Sequence, residues 1–405
     1  MKMKYAFILT LLLLVIFPAA ITSGKDTFNQ WKGSVETKNG ITLVKNTDKP
    51  LFGRIVLETK EDLVLKYGRD EDDVFGDIIA VDLDKEDNIY ILDSQRLLVT
   101  SFGKNGKFRF QFGSKGARPA EFEDVRDMFI SKNGNINVLD PRIIQIFDRT
   151  GKPLRQFKLN HSCFDFFINE KNQYIISFYT FNKDVSVKEL VAAYSTSALK
   201  TEKELGRYPL DKIVKRKLGQ GFMFYNVPHD YQPAFWFARS LANKCVFGFS
   251  NDYKLKVVDE NGHILKIIEN AEKAVDISSK ERQIIHDDLA PRCKEWPKQV
   301  FEETLQFPKQ RPFFQKILVD DIGRIFVQRV RPVQEGEKNK KEPHLFDVYD
   351  QEGRFIYQAQ LPVSPNLIRN GYLYYIDTIS DEDEIFVKRC KITNWQALKT
   401  SVIGK

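Results

Sequence analysis

One turn recurs along this chain and limits what it can fold into. Phe147-Asp148-Arg149-Thr150-Gly151-Lys152, Val258-Asp259-Glu260-Asn261-Gly262-His263 and Tyr349-Asp350-Gln351-Glu352-Gly353-Arg354 all read Asp-x-x-Gly followed by a polar or basic residue. Phe102-Gly103-Lys104-Asn105-Gly106-Lys107 is a looser copy. The glycine supplies the positive φ that a tight hairpin needs. A second turn recurs upstream: Asp84 to Asn88, Ser131 to Asn135, Asn169 to Gln173 and Asp320 to Arg324. An apolar run follows each of these, such as Ile325-Phe326-Val327.

Each unit therefore reads strand, turn, strand, short link, strand, Gly turn, strand, which predicts an antiparallel meander. The period of about 45 residues is that of radial repeats. The run Ile143-Ile144-Gln145-Ile146-Phe147 is apolar at nearly every position. Such a run suits a strand covered on both faces rather than a half-exposed one. Four-stranded sheets packed around an axis cover both faces of each sheet, and closing the circle removes exposed sheet edges. Abundant aromatics, 32 Phe and 15 Tyr, favour strands. The expected fold is all-β, a six-bladed β-propeller with four-stranded antiparallel blades. The blades run from about Asp77 to Phe112, Asp124 to Leu159, Cys163 to Leu205, Pro233 to Ile268 and Phe313 to Leu361, with a last one around Leu373 to Lys388. The third has a longer link around Asn182 to Lys188, and the fifth a polar one, Gln334 to Lys341. The last lacks an outer strand, which Arg54 to Leu57 or Leu63 to Lys66 would supply from the other end of the chain.

Three stretches stand apart. Residues 1–23 carry Lys2 and Lys4, then an uncharged apolar run, then small residues near Ala19 and Ala20. This is the pattern of a secretory signal peptide, with a retained membrane anchor as the alternative. An exported protein, periplasmic or extracellular, is expected. Residues 24–48 read as a lead-in, 49–394 as the propeller and 395–405 as a tail. Between the fourth and fifth blades, about 271–311, Ser278 and Glu281 form a capping-box pattern. Ile284, Ile285 and Leu289 follow at helical spacing before Pro291, and a second short helix holds Val300, Phe301 and Leu305. Such an insertion caps a sheet or gates a site.

The formal charge is +7, two of which leave with Lys2 and Lys4. Nucleic-acid binders concentrate basic residues on one face. The densest cluster, Lys212 to Lys217, reads as a solvated loop, so nucleic acid is not an expected partner. Cys163, Cys245, Cys293 and Cys390 lie far apart. Their spacing excludes a zinc ribbon or C-x-x-C motif and leaves disulfide pairing open.

Gly113-Ser114-Lys115-Gly116-Ala117-Arg118-Pro119-Ala120-Glu121-Phe122, then Lys132 to Ile136 and Ile144 to Lys152, resemble an NHL-type repeat. The chain, over roughly 49–394, is similar to exported bacterial six-bladed propellers of unassigned function. In that family the link between second and third strands usually carries Asn before Arg. Here Ser94-Gln95-Arg96 and Pro141-Arg142 keep the Arg only. The resemblance implies a ligand-facing side built from these links and those leading into each blade. Arg96, Arg118, Arg126 and Arg142 would then share a basic binding face.

The expected function is a binding or scaffold module for a protein, peptide or glycan near the central channel, without a cofactor. The alternative is a metal-dependent hydrolase or lyase in the channel. Calcium would need converging oxygens, with Asp77, Asp124, Asp127 and Asp165 as candidates, although Asp is also a default turn residue. Zinc would need clustered imidazoles, whereas His161, His229, His263, His286 and His344 read as scattered surface residues. The chain has no G-x-S-x-G motif.

Overall fold

The turns explain the repeat in atomic terms. Asp148 Oδ1 accepts the Thr150 and Lys152 amides at 2.8 and 3.0 Å. Asp259 Oδ1 does the same for Asn261 and His263. Asp84, Asn169 and Asp320 repeat this device at the upstream turns. Gly151, Gly262 and Gly353 take φ of 83°, 73° and 86°. These glycines also touch the preceding blade. A Cβ would fall 2.6 Å from Phe112 at Gly151, 2.4 Å from Tyr194 at Gly262 and 2.7 Å from Ile268 at Gly353. In blades 1, 2, 4 and 5 the strand pair beside the turn carries the same register shift, a bulge that tightens local twist.

The computed structural model describes residues 30–70, 73–181, 187–196, 203–212, 214–218, 221–225, 227, 229, 231–334, 342–379 and 384–398. The leader 1–23, most of the third-blade link, residues 335–341 and the tail beyond 398 lie outside them. The strands described below belong to one compact unit, Trp31–Lys405. Blade 1 comprises Ile78–Leu83, Ile89–Asp93, Leu98–Phe102 and Phe108–Phe112; blade 2 comprises Asp127–Ile130, Ile136–Asp140, Ile143–Phe147 and Pro153–Lys158. Blade 3 is Cys163–Ile168, Tyr174–Phe181, Val187–Ser195 and Lys203–Lys212; blade 4 is Phe235–Ser240, Lys244–Phe249, Lys254–Asp259 and Ile264–Asn270. Blade 5 is Phe314–Val319, Ile325–Arg329, His344–Tyr349 and Phe355–Leu361. Blade 6 is Leu367–Arg369, Tyr372–Ile379 and Glu384–Ile392, completed by Thr59–Leu65. The chain is a six-bladed β-propeller, as its repeat predicts.

Burial follows from the geometry. Ile89–Asp93 and Ile136–Asp140 are buried at every residue, and so is Ile143–Phe147 after its first. Apolar clusters fill the spaces between successive blades. Tyr90 and Leu92 of blade 1 meet Val125 and Phe147. Cys163 and Ile175 of blade 3 share a cluster with Ile144 and Phe247. Tyr374 and Val387 of blade 6 meet Ile78 and Phe102 of blade 1, so the ring is closed by core packing.

Of the two segments considered for closure, the second does it. Thr59–Leu65 pairs antiparallel with Glu384–Ile392, and Arg389 holds Asp62 through two bonds of 3.0 and 2.9 Å. Leu63 lies 2.6 Å from a Cβ built on Gly106, the place that the preceding blade's side chain takes at the other turns. Arg54–Val56 instead adds a fifth strand to blade 5, parallel to Phe355–Leu361. Ser34–Lys38 and Ile41–Asn46, expected in a lead-in, form a hairpin whose second strand runs parallel to Ile264–Asn270 of blade 4.

One further expectation is corrected. Val214–Leu218, within the basic cluster read as a loop, is a strand paired with Gly221–Tyr225. This hairpin is a two-stranded sheet of its own, outside the repeat that marks the blades. At the start of the tail, Trp395 stacks on Phe326 and Leu398 is buried. The insertion contains helices α1, Ser279–Leu289, and α2, Lys298–Thr304, with the Ser278–Glu281 capping box formed. All four cysteines are free thiols.

Candidate binding cleft

In an antiparallel blade, the links between second and third strands lie at the same end as the links leading into the blade. Two carboxylates fix that end. Asp93 accepts the Gly76, Asp77 and Arg96 amides; Asp140 accepts those of Glu123 and Asp124. The four arginines thus occupy one face of blades 1 and 2, in different environments. Arg96 pairs with Asp73 and donates to the Val74 carbonyl at 2.7 Å. Arg126 pairs with Asp124 and lies 6.0 Å from the Phe164 ring. Arg118 and Arg142 are exposed.

A cleft of about 550 Å³ opens over blades 3, 4 and 5. Phe164 and Asp165 begin the inner strand of blade 3, and Tyr179 and Lys188 flank its outward link. Trp236 begins blade 4 and Gln315 blade 5. The Phe164 and Tyr179 rings sit 4.1 Å apart, and the Lys188 ammonium is 3.5 Å from the Tyr179 centroid. Arg126 is the predicted residue that borders this cleft, through Phe164. The link ahead of blade 4 ties it to the insertion. His229 lines the cleft, its Nδ1 accepting from the Tyr231 amide while Nε2 lies 3.0 Å from the Gln306 carbonyl. Tyr231 is fully buried; its hydroxyl donates to Glu281 of α1 and accepts the Val333 amide.

Below the cleft, the inner strands carry opposite charges on opposite halves of the ring. Blades 1 to 3 contribute Asp82, Asp127 and Asp165; blades 4 to 6 contribute Arg239, Lys316 and Arg369. Arg239 reaches past blade 3 to Asp127 of blade 2, at 3.0 Å through Nη2, and donates to the Phe166 carbonyl. Arg369 reaches Asp82 at 3.3 Å. Burial pushes the Asp165 carboxyl up to about 6, helped by the nearby Asp127 charge, while Ser177 Oγ donates to it at 2.6 Å. Burial lowers the Lys316 ammonium to about 8; it donates to Ser364 Oγ and the Pro365 carbonyl. A channel cavity of about 220 Å³ is lined by residues of all six inner strands, Arg239 and Arg369 included.

The candidate calcium ligands have other partners. Asp77 accepts from Ser94 Oγ, Asp124 pairs with Arg126, Asp127 with Arg239, and Asp165 with Ser177. Asp127 and Asp165 approach one another, and Arg239 faces both. His161 stacks on Phe178, His263 bonds Asp259, His286 lies between Asp287 and Glu302, and His344 meets Gln328. Among the described residues no group of three or more His, Cys, Asp or Glu could hold a metal ion.

Sequence reasoning singled out Asp165 but missed Phe164, Tyr179, Trp236 and Gln315. The available signal was the aromatic excess at strand starts, in Cys163-Phe164 and Phe235-Trp236.

Fold and closure define this molecule as a six-bladed β-propeller. Residues 55–261 match the six-bladed β-propeller family DUF5128, and the chain belongs to that family. No curated protein matches its sequence. Among solved structures, a candidate exported protein of Bacteroides fragilis is similar at 13% identity and TM-score 0.50, over 86% of this chain and 100% of that one. A DUF4221 member from Bacteroides vulgatus is 11% identical with TM-score 0.45, over 83% and 98%. Regucalcin, a calcium-binding protein of Agrobacterium tumefaciens, is 10% identical with TM-score 0.37, over 84% and 96%.

Proposed function

We propose that this protein is an exported binding module whose ligand sits in the cleft over blades 3, 4 and 5. The cleft itself carries this reading. Its volume lies within the range of small-ligand sites, and it joins aromatic walls to a few convergent polar groups. Rigid blades hold links of variable sequence at one end, the usual division between scaffold and recognition. Export rests on the residue 1–23 pattern, and the B. fragilis neighbour described as exported agrees with it. Arg126 contributes at the cleft border. Arg96, Arg118 and Arg142 extend the same face for a ligand long enough to leave the cleft.

The test is a thermal-shift screen of small sugars, amino acids and peptides on the chain lacking residues 1–23. It is repeated with Gln315→Trp, which fills the rim of the cleft. Compounds that raise the melting temperature of the parent should lose that effect in the variant. Stabilisation that survives Gln315→Trp places the ligand elsewhere. Loss in Arg96→Ala/Arg142→Ala instead of Gln315→Trp moves the site to blades 1 and 2.

A further inference from the structure

Building on the cleft as the binding site, we propose that its ligand is a neutral saccharide. A sugar ring offers an apolar C–H face and an edge of hydroxyls, each both donor and acceptor. The cleft offers the complement. Phe164, Tyr179 and Trp236 present aromatic surface that an apolar ring face covers favourably. Among them stand Asp165, an acceptor when ionised, and Gln232 and Gln315, whose amides both donate and accept. Lys188 adds a donor beside Tyr179. Asp165 balances Lys188 in the cleft, and Asp124 balances Arg126 at its border, so the cleft has no field of one sign to hold a polyanion or polycation. A peptide held by strand addition relies on main-chain pairing, but these polar groups are side chains at strand starts and links.

One wall group has no internal explanation. The Trp236 indole Nε1–H is buried and has no acceptor among the described residues, a state that native proteins avoid. A ligand hydroxyl supplies the acceptor once the ring turns toward the cleft, and indole fluorescence reports that movement.

The full chain without residues 1–23 is probed with an array of short neutral oligosaccharides, sulfated and uronate oligosaccharides, and short peptides. Neutral oligosaccharides are expected to bind. Asp165→Asn and Gln315→Ala should each weaken binding about tenfold, the loss typical of one strong hydrogen bond, with melting curves that stay cooperative. Titration with a bound neutral oligosaccharide should shift indole emission in the parent and not in Trp236→Phe. Asp165-dependent binding of peptides or acidic sugars, with none of neutral sugars, overturns the saccharide inference and leaves the cleft in place. Binding that ignores both Asp165 and Gln315, or no binding across the array, overturns both.

Discussion

Asn46 shows how much one side chain can hold. It is 4% exposed, and its amide uses its full bonding capacity. Nδ2 donates to the Glu269 and Gly353 carbonyls at 3.2 and 3.0 Å; Oδ1 accepts the Phe355 amide at 2.7 Å and the Trp31 indole at 3.0 Å. It therefore ties the N-terminal hairpin to blades 4 and 5 together. Asn46→Ala leaves buried partners unsatisfied and should lower stability by about 2–4 kcal/mol, read from the midpoint of denaturant unfolding. Asp165 works in the opposite sense. Its folded carboxyl titrates near 6 against an ordinary 3.8, so between these values the folded protein keeps a proton that the unfolded chain has released. Stability falls as pH rises through that window, and the loss is complete above it. Asp165→Asn should raise the melting temperature at neutral pH, with the gain vanishing as pH drops below about 4. A gain of equal size at both ends would mean that Asp165 is not held in this environment.

At the scale of elements, the N-terminal strands serve unequal purposes. Ile41–Asn46 and Arg54–Val56 thicken blades that already have four strands, whereas Thr59–Leu65 completes one that has three. Removing residues 1–46 should lower the melting temperature yet keep a single cooperative transition. Removing 1–66 should abolish cooperativity, because blade 6 then exposes Val387 and Cys390 and blade 1 loses the packing of Leu63 and Leu65. Calorimetry of the two truncations separates these outcomes. The same elements mark what the sequence made legible. Blade 2 could be read from its Asp-x-x-Gly turn and blade 1 from its upstream Asp84 turn, because both act locally, through bonds across two to four residues. The closing strand was legible as a gap to be filled. The outer hairpin was not: Ser34–Lys38 is exposed at all five residues, so no alternation marks it, and Asn46 meets Glu269 across 223 positions. The cleft was half legible. Asp165 was singled out beside Asp77 and Asp124, but blades 3 and 4 have drifted from the repeat just where their leading residues build the aromatic walls.

For the whole molecule, the seam between blades 5 and 6 depends on Arg324. This guanidinium is 1% exposed, donates to Asp320 at 2.7 Å and to the Leu398 carbonyl at 3.0 Å, and lies 4.3 Å from the Trp395 ring. Arg324→Ala strands Asp320 in a dry interior and should cost about 3–5 kcal/mol, visible as a lower melting temperature and faster hydrogen exchange near Leu398. The strand Thr59–Leu65 has a wider consequence. During synthesis it leaves the ribosome long before Glu384–Ile392 exists, so it has to wait for its partner strand. A nascent chain can stack five blades yet remains an unfastened arc, and a chain halted short of Glu384 should show no amide protection at Leu63 to Leu65. Translation must pass Ile392 before the molecule can lock, which leaves any shorter product recognisable by its loose rim.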